Sequence, residues 1–244
     1  MKDICVVFVC NKKYYKKFLY TYNKLITVGK YKDDVTLVIG DDLEESDIKI
    51  KNINIVKFED IKFNDKFYNI NNTIQSDGRN ISKKFQWHKL HLFNTYFKKW
   101  KYIFYLDCGM KIYNDITPML SEFKDNKIVA HSDSYPIYNW KLYGQFDTSH
   151  SLYEDISKKF NMNINYFQTT ILLYDTSIIT DTLFDDLYKL SLQYPISKTN
   201  EQGIMALYFT NKNIWEQIKI KNEKTYYYDY LKRNKKDKYI MTKI

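Results

Sequence analysis

A chain of 244 residues with 44% apolar residues, 27% charged residues and only 3 prolines is long enough to bury a full core, which excludes a disordered, collagenous or multi-linker protein. The formal net charge of +9 favours phosphate-bearing partners, whether nucleotides, nucleic acids or membranes, although part of it is a by-product of Lys-rich, A/T-rich coding of the kind giant viruses and low-GC bacteria share. No run approaches the roughly 20 apolar residues of a membrane span, and the odd set Cys5, Cys10 and Cys108 lacks zinc spacing, so the expectation is a cytoplasmic protein (host cytoplasm if viral) with free thiols and no membrane span.

Residues 4–10 are a continuous apolar run, predicted as a strand buried on both faces. Residues 15–26 bring Phe18, Leu19, Tyr22, Leu25 and Ile26 to one helical face before Gly29. Residues 35–39 form a second buried strand, and 53–58 alternate as a third. Strand, helix, strand in that order opens a parallel α/β sheet. Residues 64–81 are polar and carry the turn signal Asp77-Gly78. Phe85, Leu92, Phe93, Tyr96, Phe97 and Trp100 then share a helical face, and Lys98-Lys99 suit the helix's negative end. A strand at 102–107 follows, then Thr117 as an N-cap with Pro118 in the first turn. Strands are predicted at 127–131, 167–175 and 214–220, and helices at 177–192 and 201–209. Residues 132–150 read as an aromatic and polar loop. The expected fold is one α/β domain over residues 1–231, with a mainly parallel central sheet flanked by helices. Residues 4–10, 35–39 and 102–107 should be inner strands, and 232–244 a basic tail.

The strongest local signal for chemistry is Tyr102-Ile103-Phe104-Tyr105-Leu106-Asp107-Cys108-Gly109. A carboxylate at the C-terminal end of a buried strand stands where open α/β sheets bind ligands. The preceding helix, about as long as the strand it returns along, brings His88 and Lys89 to the same mouth. A cation and a carboxylate together suit a metal–diphosphate ligand. On the pattern alone, Asp107 equally serves to cap the following turn, and Lys89 serves as a solvated helix residue.

Residues 85–120, FQWHKLHLFNTYFKKWKYIFYLDCGMKIYNDITPML, resemble the central segment of glycogenin and its relatives in glycosyltransferase family 8. There a Lys-Leu-His helix start precedes a strand ending in Asp-x-Asp; Lys89-Leu90-His91 and Asp107-Cys108-Gly109 stand in those places. Cys10-Asn11-Lys12-Lys13-Tyr14 is similar to the family's Thr-Asn-x-x-Tyr after the first strand, Phe167–Leu173 to its Phe-Asn-x-Gly strand, and Asn200-Glu201-Gln202-Gly203-Ile204 to its Asp-Gln pair opening a helix. The matches keep the family's order from residue 4 to about residue 210.

The resemblance implies a GT-A fold and sugar transfer from a nucleotide-diphosphate donor, most plausibly a UDP-sugar. It implies a donor-binding half over about 1–115 and an acceptor-side half over about 116–231. Val9, Cys10, Asn11, Tyr14, Arg79, Lys89, Cys108 and Gly109 are then the donor-binding candidates, with Tyr14 stacking on the base. Asp107 is the metal ligand for Mn²⁺ or Mg²⁺. Asp107, Glu201 and Gln202 are the catalytic candidates, and retention at the anomeric carbon is implied. The acceptor, a glycan or a protein, is open, with residues 132–150 the expected wall. Lys89 and Arg79 are the cations expected to compensate the diphosphate leaving group.

Two departures stand out. Gly109 replaces the second Asp of Asp-x-Asp, and no counterpart of the family's late metal-ligating His follows residue 210. A hard cation prefers several oxygen ligands, and Asp133 is the other acid available. Tyr14 also reads as a helix-packing residue, Glu201 as a helix-start charge, His131 as a buried core histidine, and Gly203 as a packing choice. Two other classes stay open: a nucleotide-sugar-binding pseudoenzyme, favoured by Gly109, and a nucleic-acid binder, against which the basic residues spread along the whole chain. No nucleic-acid partner is expected.

Overall fold

The computed structural model describes residues 2–74, 84–219, 221, 226–229 and 239–243. Strand β1 (Lys2–Cys10) lies at the centre. Its residues alternate between two packed faces: Cys5, Val7 and Val9 enter one core cluster, while Val6, Phe8 and Cys10 enter the other. Burial on both faces is why the strand is an unbroken apolar run.

Helix α1 (Tyr15–Thr27) buries Phe18, Thr21 and Leu25 against the second face and returns the chain to β2 (Asp34–Ile39), which pairs parallel with β1. Strand β3 (Asn54–Lys57) extends the sheet in parallel. On the other side of β1 lies β4 (Trp100–Leu106), also parallel. Beyond it are β7 (Ile171–Asp175), β6 (Ile128–Ala130) and β8 (Trp215–Gln217). Among the described residues the sheet has seven strands in the order β3-β2-β1-β4-β7-β6-β8. It is mostly parallel; β7 runs antiparallel to both neighbours. The three strands expected to be inner are inner.

A second, three-stranded sheet joins β5 (Met110–Ile112), β9 (Tyr226–Asp229) and β10 (Tyr239–Lys243), in the order β5-β10-β9. The expected basic tail thus carries a strand: Tyr239, Ile240 and Met241 are buried, and Met241 is in register with Ile112. The short helix α3 (Thr117–Leu120) starts one residue earlier than expected, with Ile116 at the cap and Asp115 accepting from the Thr117 backbone N–H at 2.9 Å.

Three further elements differ from the sequence reading. The helix expected over 85–100 is two 3-10 segments, Lys84–Phe93 and Thr95–Lys99. Asn94 separates them because its side chain takes the Tyr96 backbone N–H at 2.9 Å, which restarts the helix. Polar segment 64–81 contains helix α2 (Asp65–Asn71), N-capped by Asn64. Helix α4 (Leu152–Lys159) follows the aromatic loop. Helices α5 (Leu183–Gln193) and α6 (Glu201–Asn211) cover the first face together with segment 84–93.

Candidate functional site

The 3-10 segment Lys84–Phe93 has three residues per turn, so side chains three apart share a face. Phe85, His88 and His91 form one such row, with ring centroids 4.8 and 4.5 Å apart. Gln86 and Lys89 form another, and that row faces the site. Lys89 Nζ lies 2.8 Å from Asp107 Oδ1 and 3.2 Å from Glu201 Oε1. One turn earlier, Gln86 Oε1 accepts from Asn200 Nδ2 at 2.6 Å. Asp107 follows the end of β4 and is held there by its backbone N–H donating to the Thr170 carbonyl at 3.0 Å. Tyr105 stands two residues earlier on the same face of the strand, and its hydroxyl donates to Asp107 Oδ1 at 2.5 Å.

Glu201 opens α6 and is 2% exposed. Thr169 Oγ1 donates to its Oε1 at 3.1 Å, while its Oε2 is buried without a hydrogen-bond partner among the described residues. Burial raises the Glu201 pKa, against the pull of the Lys89 ammonium. Burial works against the charge on Lys89 too, but Asp107 and Glu201 outweigh it and hold the lysine above its ordinary value. Among the described residues the cluster is one cation between two carboxylates, largely out of water. Asn200, just before Glu201, takes φ +53° and ψ −129°, a strained conformation for a side chain-bearing residue, and its Oδ1 is a second buried acceptor without a partner. Gln202 receives the Thr169 backbone N–H on Oε1 at 3.2 Å and donates from Nε2 to Gln145 Oε1 at 2.9 Å.

The expected donor-binding residues lie at the neighbouring strand end. The Val9 carbonyl accepts from Cys108 Sγ at 3.3 Å. The Cys10 thiol beside Cys108, together with burial, pushes the Cys108 thiol well above its usual range, which suits packing and not nucleophilic attack. All three cysteines are free. Asn11 caps the 3-10 turn Lys12–Tyr14 by accepting the Tyr14 backbone N–H at 3.2 Å, and Tyr14 is half-buried. Gly109 takes φ +105°, a left-handed conformation open mainly to glycine. Its N–H donates to Thr21 Oγ1 of α1 at 3.1 Å. Arg79 lies outside the described residues.

Several expected placements change. His88 does not face Asp107. Its Nε2 meets the Ile39 carbonyl at 3.2 Å, and burial pushes its pKa down to about 4. His91 behaves alike, stacked between Phe58 and Phe184. His131 keeps its reading as a buried core histidine, 3.4 Å from Gln168 Nε2. Gly203 makes room for Ser197, whose Oγ would stand 2.4 Å from an added Cβ; it serves packing and not substrate approach. Lys89, expected to face a diphosphate, is committed to Asp107 and Glu201. The residues that sequence reasoning did not single out are Gln86, Tyr105, Thr169 and Asn200; Gln145, expected among the polar residues of the 132–150 wall, joins them through Gln202. Three-residue periodicity in segment 84–93 and the two-residue spacing of Tyr105 and Asp107 were the available signals.

Among the described residues the side-chain donors are too few to hold a divalent cation by themselves. Among the described residues, no three His, Cys, Asp or Glu side chains stand together as a metal group. Asp107 Oδ1 is shared by an ammonium and a phenol, and Gly109 offers no ligand side chain.

The fold itself is met in solved structures. The chain is similar to galactosyltransferase LgtC in complex with donor and acceptor sugar analogues, with TM-score 0.58, 13% identity, and coverage of 92% of this chain and 75% of that one. It is also similar to the bifunctional glycosyltransferase WbbM (TM-score 0.57, 12% identity, 99% of this chain and 45% of that one). Mouse xyloside xylosyltransferase 1 matches with TM-score 0.50 and 12% identity, over 88% of this chain and 85% of that one. No protein-family model and no curated protein matches the sequence. At such identities the likeness is one of architecture: the chain has the GT-A-like fold of these glycosyltransferases. Among the described residues no helix is long and apolar enough to cross a membrane.

Proposed function

We propose that the chain is a glycosyltransferase of the family 8 kind, moving a sugar from a UDP-sugar to a carbohydrate acceptor with retention at the anomeric carbon. The observation that carries this reading is a buried polar cluster on a glycosyltransferase fold: Lys89 bridges Asp107 and Glu201, while among the described residues Glu201 Oε2 and Asn200 Oδ1 meet no hydrogen-bond partner. A buried acceptor left unpaired costs about 1–3 kcal/mol. A ligand rich in hydroxyl donors relieves that cost, and a sugar ring brings several. Glu201 and Asn200 therefore receive donor hydroxyls, with Lys89 fixing the Glu201 and Asp107 carboxylates in place. The nucleoside lies toward Asn11 and Tyr14 at the end of β1.

Inversion requires a carboxylate base on the acceptor side. Gln202 is a neutral amide and Glu201 is held by Lys89 and Thr169, which favours retention. The acceptor side is the loop before Gln145, because Gln145 hydrogen-bonds Gln202 directly. In that loop Trp140 is 54% and Tyr143 43% exposed, and aromatic faces of this kind stack on sugar rings. Tyr135 and Tyr138 instead pack on each other.

Calorimetry with UDP, followed by a donor-hydrolysis panel and an acceptor array, tests the reading. Absence of UDP binding at millimolar ligand sinks it. Donor binding without turnover selects the pseudoenzyme, the reading that Gly109 favours. NMR of the product's anomeric configuration decides retention.

A further inference from the structure

The missing second carboxylate has a structural counterpart. A Cβ placed on Gly109 would stand 3.5 Å from Lys17 Cδ, so the stem of Lys17 lies against the space an aspartate side chain would enter. Lys17 belongs to the first turn of α1, and its ammonium stands 5.5 Å from the centre of the Tyr14 ring. It is exposed, and among the described residues no carboxylate lies within 4.0 Å of it. Lys89, by contrast, is neutralised by two acids. The turn holding Gly109 is tied to α1: Thr21 Oγ1 accepts the Gly109 N–H at 3.1 Å and meets the Met110 carbonyl at 3.0 Å. The Lys17 stem thus lies beside the Gly109 turn, with its ammonium on the side of Tyr14, the residue assigned to the base.

We propose that Lys17 supplies the positive charge that compensates the departing diphosphate, and that transfer needs no divalent cation. This rests on the donor reading given above. In the step, the bond from the anomeric carbon to the diphosphate oxygen breaks and its electron pair stays on that oxygen. The acceptor hydroxyl oxygen forms the new bond to the anomeric carbon, and its proton passes to the departing diphosphate, giving UDP. A fixed ammonium beside the leaving oxygens stabilises the charge that accumulates there.

The test measures UDP release from a UDP-sugar by the full chain in excess EDTA and in Mn²⁺, for wild type, Lys17→Met and Lys16→Met. Lys16→Met is the control for general surface charge. The expected result is wild-type turnover unchanged by EDTA, at least about a tenfold loss in Lys17→Met, and no loss in Lys16→Met. Uridine affinity and melting temperature should stay at wild-type values in Lys17→Met while UDP affinity falls. Turnover abolished by EDTA and restored by Mn²⁺ overturns the proposal and leaves the glycosyltransferase reading intact, as does full activity in Lys17→Met. A wild type that neither binds UDP nor releases it under any condition overturns both.

Discussion

Replacing Lys89 by Met removes the only charge between Asp107 and Glu201 in the described cluster while nearly keeping the side chain's length. Lys89 and Glu201 side chains are 11% and 3% exposed, and Asp107 is 20% exposed. Deleting one partner of a buried ion pair costs about 3–5 kcal/mol, because the other charge is left uncompensated. Water reaches Asp107, so the lower end applies, about 3 kcal/mol. At about 2–4 °C per kcal/mol for a chain of this size, the melting temperature should fall by roughly 6–12 °C near neutral pH. The deficit should also depend on pH. The Glu201 pKa is already raised by burial, with Lys89 pulling it down; without the lysine it rises further. A carboxyl raised in the folded state contributes stability below its ordinary value of about 4.3 and loses it as pH rises through the folded value. The variant should therefore lose less at pH 5 than at pH 8, whereas the wild-type lysine stays charged across that range. Scanning calorimetry at both pH values, with the Lys89→Met/Glu201→Gln double variant to close the cycle, measures this. A fall below about 2 °C at pH 8 would mean the cluster behaves as a surface pair, and an equal fall at both pH values would exclude Glu201 as the titrating group.

Asp107→Asn keeps the shape and the Tyr105 contact but removes the charge facing Lys89; turnover should fall by at least about 10²-fold with the fold intact by circular dichroism, and wild-type turnover would refute the assignment. Gly109→Asp forces a side chain onto φ +105°; it should destabilise by roughly 1–3 kcal/mol without creating tight Mn²⁺ binding, which denaturant titration and calorimetry check. Trp140→Ala should raise the acceptor Michaelis constant about fivefold, from about 1 kcal/mol of lost stacking, and leave donor hydrolysis unchanged. An unchanged constant removes the loop from the acceptor side.

Much of the fold was legible because the central strands are buried on both faces, and that burial demands unbroken apolar runs such as 4–10 and 35–39. The same burial conceals direction. β7 is buried at all five positions and would look alike whether parallel or antiparallel, so its reversal could not be read. Averaging over composition hid β10: lysines dominate the segment, yet Tyr239, Ile240 and Met241 form a contiguous apolar block that closes the second sheet. Helix α4 was missed for a related reason: within it only Ile156 is buried, too little to impose a visible period.

The site was legible in its residues more than in its logic. Asp107, Lys89 and Glu201 were singled out, and the structure brings them within hydrogen-bonding distance of one another through Lys89. The pairing inverts the expected roles, however. In a helix of 3.6 residues per turn Gln86 and Lys89 share a face but are offset by about 60° around the axis. Three residues per turn align it with Gln86, so the whole row turns inward onto Asp107 and the start of α6. Once inside, Lys89 is paired with two carboxylates, and its charge is already compensated before any ligand arrives. On the reading proposed above, the cation for the leaving group comes from another element. Neither spacing nor motif in the segment around Asp107 points to Lys17, which lies 92 residues earlier than Gly109 on the helix whose Thr21 clasps the Gly109 turn. A glycine in place of an acid reads as a loss in one dimension; in three, the space an added side chain would enter is bordered by the stem of Lys17.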